Sequence, residues 1–188
     1  MAEPDPLVVA VNIIANVVRS VHLKRALSEI DPEPRLNFWR GIYGNLLDIA
    51  VIDWCKLFGS DDEEHQKTHW KNVIAAPEHA SFRQELYDAL ATDKDGYAAY
   101  WKEMKDYRDQ HAVHRDFKKN DVTHYPVLEG ALASCRVYYR HVIVKLRAKG
   151  VNRYPEDLDA YGKAFADQAR EIARAALAAT NGFEERVF

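Results

Sequence analysis

Residues 35–58, RLNFWRGIYGNLLDIAVIDWCKLF, form the segment that decides the fold class. Two prolines, Pro32 and Pro34, precede it and Gly59 follows it, so the chain breaks on both sides. Between these breaks apolar side chains recur every three or four positions, which is the period of an α-helix. The segment therefore predicts one long helix, whose apolar positions are Phe38, Ile42, Leu46, Ile49, Ile52 and Cys55.

Proline and glycine divide the rest of the chain into further helical segments. No segment alternates apolar and polar positions between turn dipeptides, as half-buried strands do. The chain is therefore predicted to be one all-α domain over residues 1–188, an antiparallel bundle of five or six long helices with short loops. Besides residues 35–58, we predict helices after residue 6 to about 30, near 69–75, from 77 onward, at about 97–117 and 127–149, and after 155 to about 180.

The N-terminus and the cysteines favour a cytoplasmic protein. The first six residues are acidic and contain two prolines, whereas a secretory signal begins with basic residues. The apolar run that follows is interrupted by Asn12 and Asn16, which argues against a membrane span of about 20 apolar residues. Cys55 and Cys135 each lie among apolar residues, as reduced core thiols do. We expect no membrane association.

Residues 107–117, YRDQHAVHRDF, carry the side chains with the clearest chemical potential. Arg108 offers a planar guanidinium fork that binds phosphate, and Asp109 places a carboxylate beside it. His111 and His114 can transfer a proton near neutral pH. An arginine and a histidine acting on one phosphate are sufficient to cleave RNA without a metal. We therefore expect neither a metal nor a cofactor.

Helical spacing sets a condition on this motif. Successive residues of an α-helix are about 100° apart, so Arg108 and His111 are neighbours, whereas Arg108 and His114 lie about 120° apart. Arg108 and His114 would meet at one phosphate if the helix bends there, or if a second chain completes the site. The alternative interpretation is a solvated helix face whose histidines have no role.

The segment from Arg108 to His114 resembles the signature of the HEPN superfamily. That signature is an arginine, a polar residue beside it, and a histidine after four to six intervening residues; here five residues intervene. The sequence AVHRD at 112–116 is similar to the end of the signature in many members. Upstream, AVIDWCKLF at 50–58 and THW at 68–70 resemble the abortive-infection-type branch. The resemblance extends over about residues 38–146.

The resemblance implies an α-helical bundle and an RNA-directed activity. Many HEPN proteins are metal-independent endoribonucleases in toxin–antitoxin or phage-defence systems, and they dimerise so that two motifs line one cleft. By position, Arg108 would bind the phosphate, His114 would be the acid–base residue, and Asp109 would be the polar neighbour. His111 would be a second proton carrier or a surface residue. Expected partners are RNA, a second copy of the chain, and an antitoxin or nucleotidyltransferase. Other members only bind RNA, nucleotides or proteins, which is the alternative function.

A row of arginines offers a possible RNA contact, although the net charge of −3 shows that the protein is not basic overall. Residues 131–155 contain no acidic side chain, and on an ideal helix three of their arginines fall within about 40° of one another. Such a row can follow a phosphate backbone. Alternatively, these side chains pair with acids such as Glu156 and Asp159 on a neighbouring helix. The expected RNA-binding residues are Arg115, Arg136, Arg140 and Arg147.

Overall fold

The computed structural model describes residues 4–30, 36–61, 67–112 and 125–185. These ranges contain seven α-helices and no β-strand, which confirms the all-α prediction. A 3-10 turn at Ala76–Glu78 precedes the fourth helix, and a π-helical turn at Arg108–Ala112 continues the fifth. The helices are α1 (Pro6–Ser28), α2 (Asn37–Phe58), α3 (Trp70–Val73), α4 (His79–Ala89), α5 (Lys94–Tyr107), α6 (Glu129–Ala148) and α7 (Leu158–Thr180).

Local sequence explains where several of these helices begin and end. The Asp5 carboxylate accepts a hydrogen bond from the Leu7 amide at 2.9 Å and so caps the start of α1. Gly150 follows α6 with φ of +79°, a left-handed conformation that favours glycine. The Asp93 carboxylate caps the Gly96 amide at 2.8 Å, so α5 begins at Lys94, slightly before the predicted start near residue 97.

The helices pack around one apolar core. α1 contacts α2, α6 and α7, while α4 packs on α6 and α5 packs on α2. The two cysteines, Cys55 on α2 and Cys135 on α6, are buried free thiols, as the sequence predicted. The largest fully buried side chains come from five different helices and include Ile14, Trp54, Phe58, Phe82, Met104, Tyr138 and Leu146.

α1 is long and apolar enough, by length and composition, to cross a membrane. In the fold its apolar side chains belong to the core, and Ile14, Val17 and Val21 have no exposed surface. Core helices and membrane-spanning helices can share this composition. The cytoplasmic location therefore stays a prediction.

The contact between α1 and α7 depends on Gly162. A Cβ atom added there would lie 2.7 Å from Nε2 of His22 and 3.1 Å from Cγ1 of Val18. We expect Gly162→Ala to lower the free energy of unfolding by about 1–3 kcal/mol, because an added methyl group overfills a packed helix contact. Urea denaturation followed by circular dichroism measures this change.

Gly41→Ala is the matched control for that substitution. Gly41 also lies within a helix, but a Cβ atom there would meet nothing within 4 Å. Its replacement is expected to raise stability by up to about 1 kcal/mol, because alanine favours the helix more than glycine does. Equal effects at the two positions would contradict the α1–α7 packing described here.

Candidate functional site

The described part of the motif, residues 107–112, does not follow the regular helix that its sequence predicted. α5 ends at Tyr107, and Arg108–Ala112 form a π-helical turn, which has more residues per turn than an α-helix. The His111 ring packs on Tyr107, four residues earlier, with ring centroids 5.5 Å apart. The predicted residues His114 and Arg115 lie outside the described ranges. Single π-helical turns within α-helices occur frequently at functional sites.

Arg108 is held between the π-helical turn and α2. Its Nε and Nη2 atoms lie 2.7 Å and 2.6 Å from Oδ1 of Asp109, and the side chain is 24% exposed. Burial raises the pKa of Cys55 on α2 to about 11, and the nearby guanidinium of Arg108 opposes that rise. The Cys55 thiol is therefore protonated near neutral pH, and the Arg108 guanidinium lies near it in a half-buried position. A guanidinium carries five N–H donors, so the pair with Asp109 leaves it capacity for a phosphate.

A cleft of about 550 Å³ lies beside the π-helical turn, between α1, α2 and residues 125–129. His111 lines this cleft, whereas Arg108 is not among its lining residues. The structure therefore places Arg108 and His111 in different surroundings, although they are three positions apart. The aromatic and charged side chains that line the cleft are Tyr43, Tyr107 and Tyr125, with Lys24, Arg25, Asp48 and Glu129.

The polar groups of the cleft are arranged in pairs. The Tyr107 hydroxyl donates to Oδ1 of Asp48 at 2.7 Å. Burial is the main cause that raises the pKa of Tyr107 above its usual range, and the Asp48 carboxylate adds to it. The phenol therefore remains a hydrogen-bond donor near neutral pH. The Nζ atom of Lys24 lies 3.5 Å from the centroid of the Tyr43 ring. Sequence reasoning did not find Asp48, although a carboxylate within the apolar run LLDIAVI was a visible signal.

The three described arginines of the expected RNA contact are all ion-paired within the chain. Their partners are carboxylates on α4, on α7 and in the segment before α7, which is the alternative that the sequence left open. The pairs therefore neutralise part of the charge that an RNA backbone would meet, and RNA contact at this face stays a prediction. The distances are 2.6 Å for Arg136–Asp159, 3.3 Å for Arg140–Glu85 and 3.0 Å for Arg147–Glu156.

Comparison with protein-family models, with curated proteins and with solved structures gave no match for this chain. Among the residues that the structure describes, no group of three or more histidine, cysteine, aspartate or glutamate side chains could hold a metal ion. What the protein does is therefore inferred from its own residues.

Proposed function

We propose that this protein is a metal-independent endoribonuclease of the HEPN type. The observation that supports this proposal most directly is the position of Arg108 in a π-helical turn, where its side chain is half-buried. The same turn contributes His111 to the neighbouring cleft, which has aromatic and charged side chains. Such a turn combines a fixed cation for a phosphate with a surface on which bases can stack.

The proposed reaction is a transesterification within the RNA. The ribose 2′-hydroxyl gives its proton to the His114 imidazole, and its oxygen attacks the adjacent phosphorus. The bond from phosphorus to the 5′-oxygen of the next nucleotide breaks, and that oxygen takes up a proton from a protonated His114 imidazole, which returns to its neutral form. Arg108 stabilises the charge that develops on the phosphoryl oxygens. The products are a 2′,3′-cyclic phosphate and a free 5′-hydroxyl.

The assembly that we propose is a homodimer. Following the resemblance of residues 108–114 to HEPN proteins, which pair two motifs in one cleft, a second copy of the chain would supply its motif to a shared site. Following the resemblance of residues 108–114 to HEPN proteins, we further propose a cytoplasmic toxin or phage-defence role. An antitoxin or a nucleotidyltransferase would be the regulatory partner.

Incubation of the protein with total RNA in the presence of a chelator tests the proposal. Wild type is expected to cut, and His114→Ala is expected to be slower by about 10²–10⁴-fold, because general acid–base catalysis contributes that much. His141→Ala is the matched control, since His141 pairs with Glu85 on another face and does not line the cleft. A His114→Ala variant that cuts as fast as wild type would contradict the assignment of the acid–base residue.

A second candidate function is RNA or nucleotide binding without cleavage. One observation favours it: the Arg108 guanidinium lies against Asp109 and outside the lining of the cleft. A protein of this kind would retain labelled RNA in a binding assay and would release no cut product over the same period.

A further inference from the structure

The cleft has the size and the walls of a nucleobase-binding site. Its volume of about 550 Å³ falls within the range of roughly 300–1,000 Å³ that is usual for small-molecule sites. Two of its aromatic side chains are accessible to a ligand, because Tyr43 is 38% exposed and Tyr125 is 60% exposed. Aromatic rings of this kind stack bases in proteins that bind single-stranded nucleic acids. Gly44 also lines the cleft, and a Cβ atom there would meet nothing within 4 Å.

Asp48 gives this cleft a selective acceptor. A carboxylate has about four lone-pair sites, and the Tyr107 hydroxyl uses one of them, on Oδ1. Because the Tyr107 phenol is protonated near neutral pH, it keeps donating to Asp48 and fixes the carboxylate on the cleft wall. Asp48 therefore retains capacity to accept hydrogen bonds from a ligand in the cleft.

The donor pattern of the RNA bases decides which base suits a carboxylate. Guanine presents two adjacent donors, N1–H and the N2 amino group, which match the two oxygens of a carboxylate. Adenine and cytosine place an acceptor nitrogen beside their amino group, and uracil places carbonyls on both sides of its N–H. Hydrogen bonds to an ionised acceptor are about twice as strong as neutral ones, so this difference in pattern is expected to dominate base selection.

The charged side chains of the cleft fit the phosphate of the same nucleotide. Lys24 and Arg25 both line it, and Lys24 now rests on the Tyr43 ring at 3.5 Å. A stacked base would take over this ring face, and the flexible stem of Lys24 allows its ammonium group to move to the phosphate. Arg25 forms an ion pair with Glu129, which also lines the cleft.

We propose that this cleft binds a guanine base of the RNA substrate, stacked on Tyr43 or Tyr125 and hydrogen-bonded through N1–H and N2–H to Asp48. The proposal depends on the proposed ribonuclease function for its RNA substrate. A guanine site in this cleft would give RNA cleavage a base preference. His111 lies on the same π-helical turn as Arg108 and lines the cleft, so a nucleotide bound there lies beside the motif.

Isothermal titration calorimetry with the 3′-monophosphates of guanosine, adenosine, cytidine and uridine tests this site. The guanosine nucleotide is expected to bind at least about tenfold more tightly than the other three. Asp48→Asn is expected to remove that preference, and at least one of Tyr43→Ala and Tyr125→Ala is expected to weaken all four nucleotides by roughly tenfold through lost stacking. Asp88→Asn removes the same charge from α4, outside the cleft lining, and should leave every affinity unchanged.

Several outcomes would overturn the proposal. They are equal binding of the four nucleotides, absence of binding, or an Asp48→Asn variant that binds guanosine as wild type does while retaining its wild-type melting temperature. The RNA part of the experiment measures binding of a trinucleotide with a central guanosine. This binding is compared with that of the same trinucleotide carrying inosine, which lacks the N2 amino group. Binding of the free nucleotide without binding of this trinucleotide would overturn the RNA assignment.

This experiment separates the cleft from the catalytic proposal. RNA cleavage by a protein that binds no guanosine nucleotide would contradict the base-binding site and leave the ribonuclease proposal standing. Selective guanosine binding by a protein that never cuts RNA would support the site and contradict the ribonuclease proposal.

Discussion

Arg108→Ala is expected to lower the rate of RNA cleavage by about 10²–10³-fold, since removing one preorganised donor to a developing oxyanion has this effect in other enzymes. Arg108→Lys is expected to fall between wild type and alanine, because an ammonium group keeps the charge and loses the bidentate fork. Initial rates on a fluorescently labelled oligoribonucleotide, in the presence of a chelator, measure both changes.

Arg170→Ala is the matched control for Arg108. It removes the same charge from α7, where Arg170 pairs with Glu29 and Asp167 outside the cleft lining. Its cleavage rate should stay within about twofold of wild type, since exposed ion pairs contribute little. Melting temperatures of all three variants show whether each is folded. A folded Arg108→Ala protein with wild-type activity would remove Arg108 from the mechanism.

Trp54→Ala is expected to lower the free energy of unfolding by about 3–5 kcal/mol, the usual cost of truncating a large buried aromatic side chain. Trp54 has no exposed surface, and its ring stacks on Phe58 with centroids 5.2 Å apart. Its indole N–H donates to the Ser134 hydroxyl at 2.7 Å, which joins α2 to α6. Chemical denaturation followed by circular dichroism gives the change in free energy.

Two further variants separate packing from hydrogen bonding in this prediction. Trp54→Phe keeps an aromatic ring and loses the indole donor, so its expected cost is about 1–2 kcal/mol, from the hydrogen bond together with some lost packing. Phe38→Ala truncates an aromatic residue of the same helix that is 64% exposed, and it should change stability by about 0.5 kcal/mol or less. A Trp54→Ala protein as stable as Phe38→Ala would contradict the described core.

The helical architecture could be predicted because its signals are local. Apolar spacing within residues 35–58 and the flanking prolines depend on neighbours in the chain, and α2 indeed covers Asn37–Phe58. The π-helical turn could not be predicted in this way. Its residues pack on α2, and the Tyr107–Asp48 hydrogen bond joins side chains 59 positions apart, so its winding depends on tertiary contacts.

The candidate site was likewise predictable only in part from the sequence. Arg108, Asp109 and His111 were found because they lie close together in sequence, whereas the cleft was missed because α1, α2 and residues 125–129 contribute its walls. The arginines of α6 show a second limit of prediction from the sequence. Their common face and nearby acids were both visible, but only the folded chain assigns Arg136 to Asp159 and Arg147 to Glu156.

Mass spectrometry of the ends left on a short oligoribonucleotide, cut in the presence of a chelator, tests the central claim most directly. Transesterification predicts a 2′,3′-cyclic phosphate on one product and a 5′-hydroxyl on the other. It also predicts that a single 2′-deoxyribose at the cut linkage abolishes the cut. Products with a 5′-phosphate and a 3′-hydroxyl, or cleavage at the deoxyribose linkage, would contradict the proposed chemistry of Arg108 and His114.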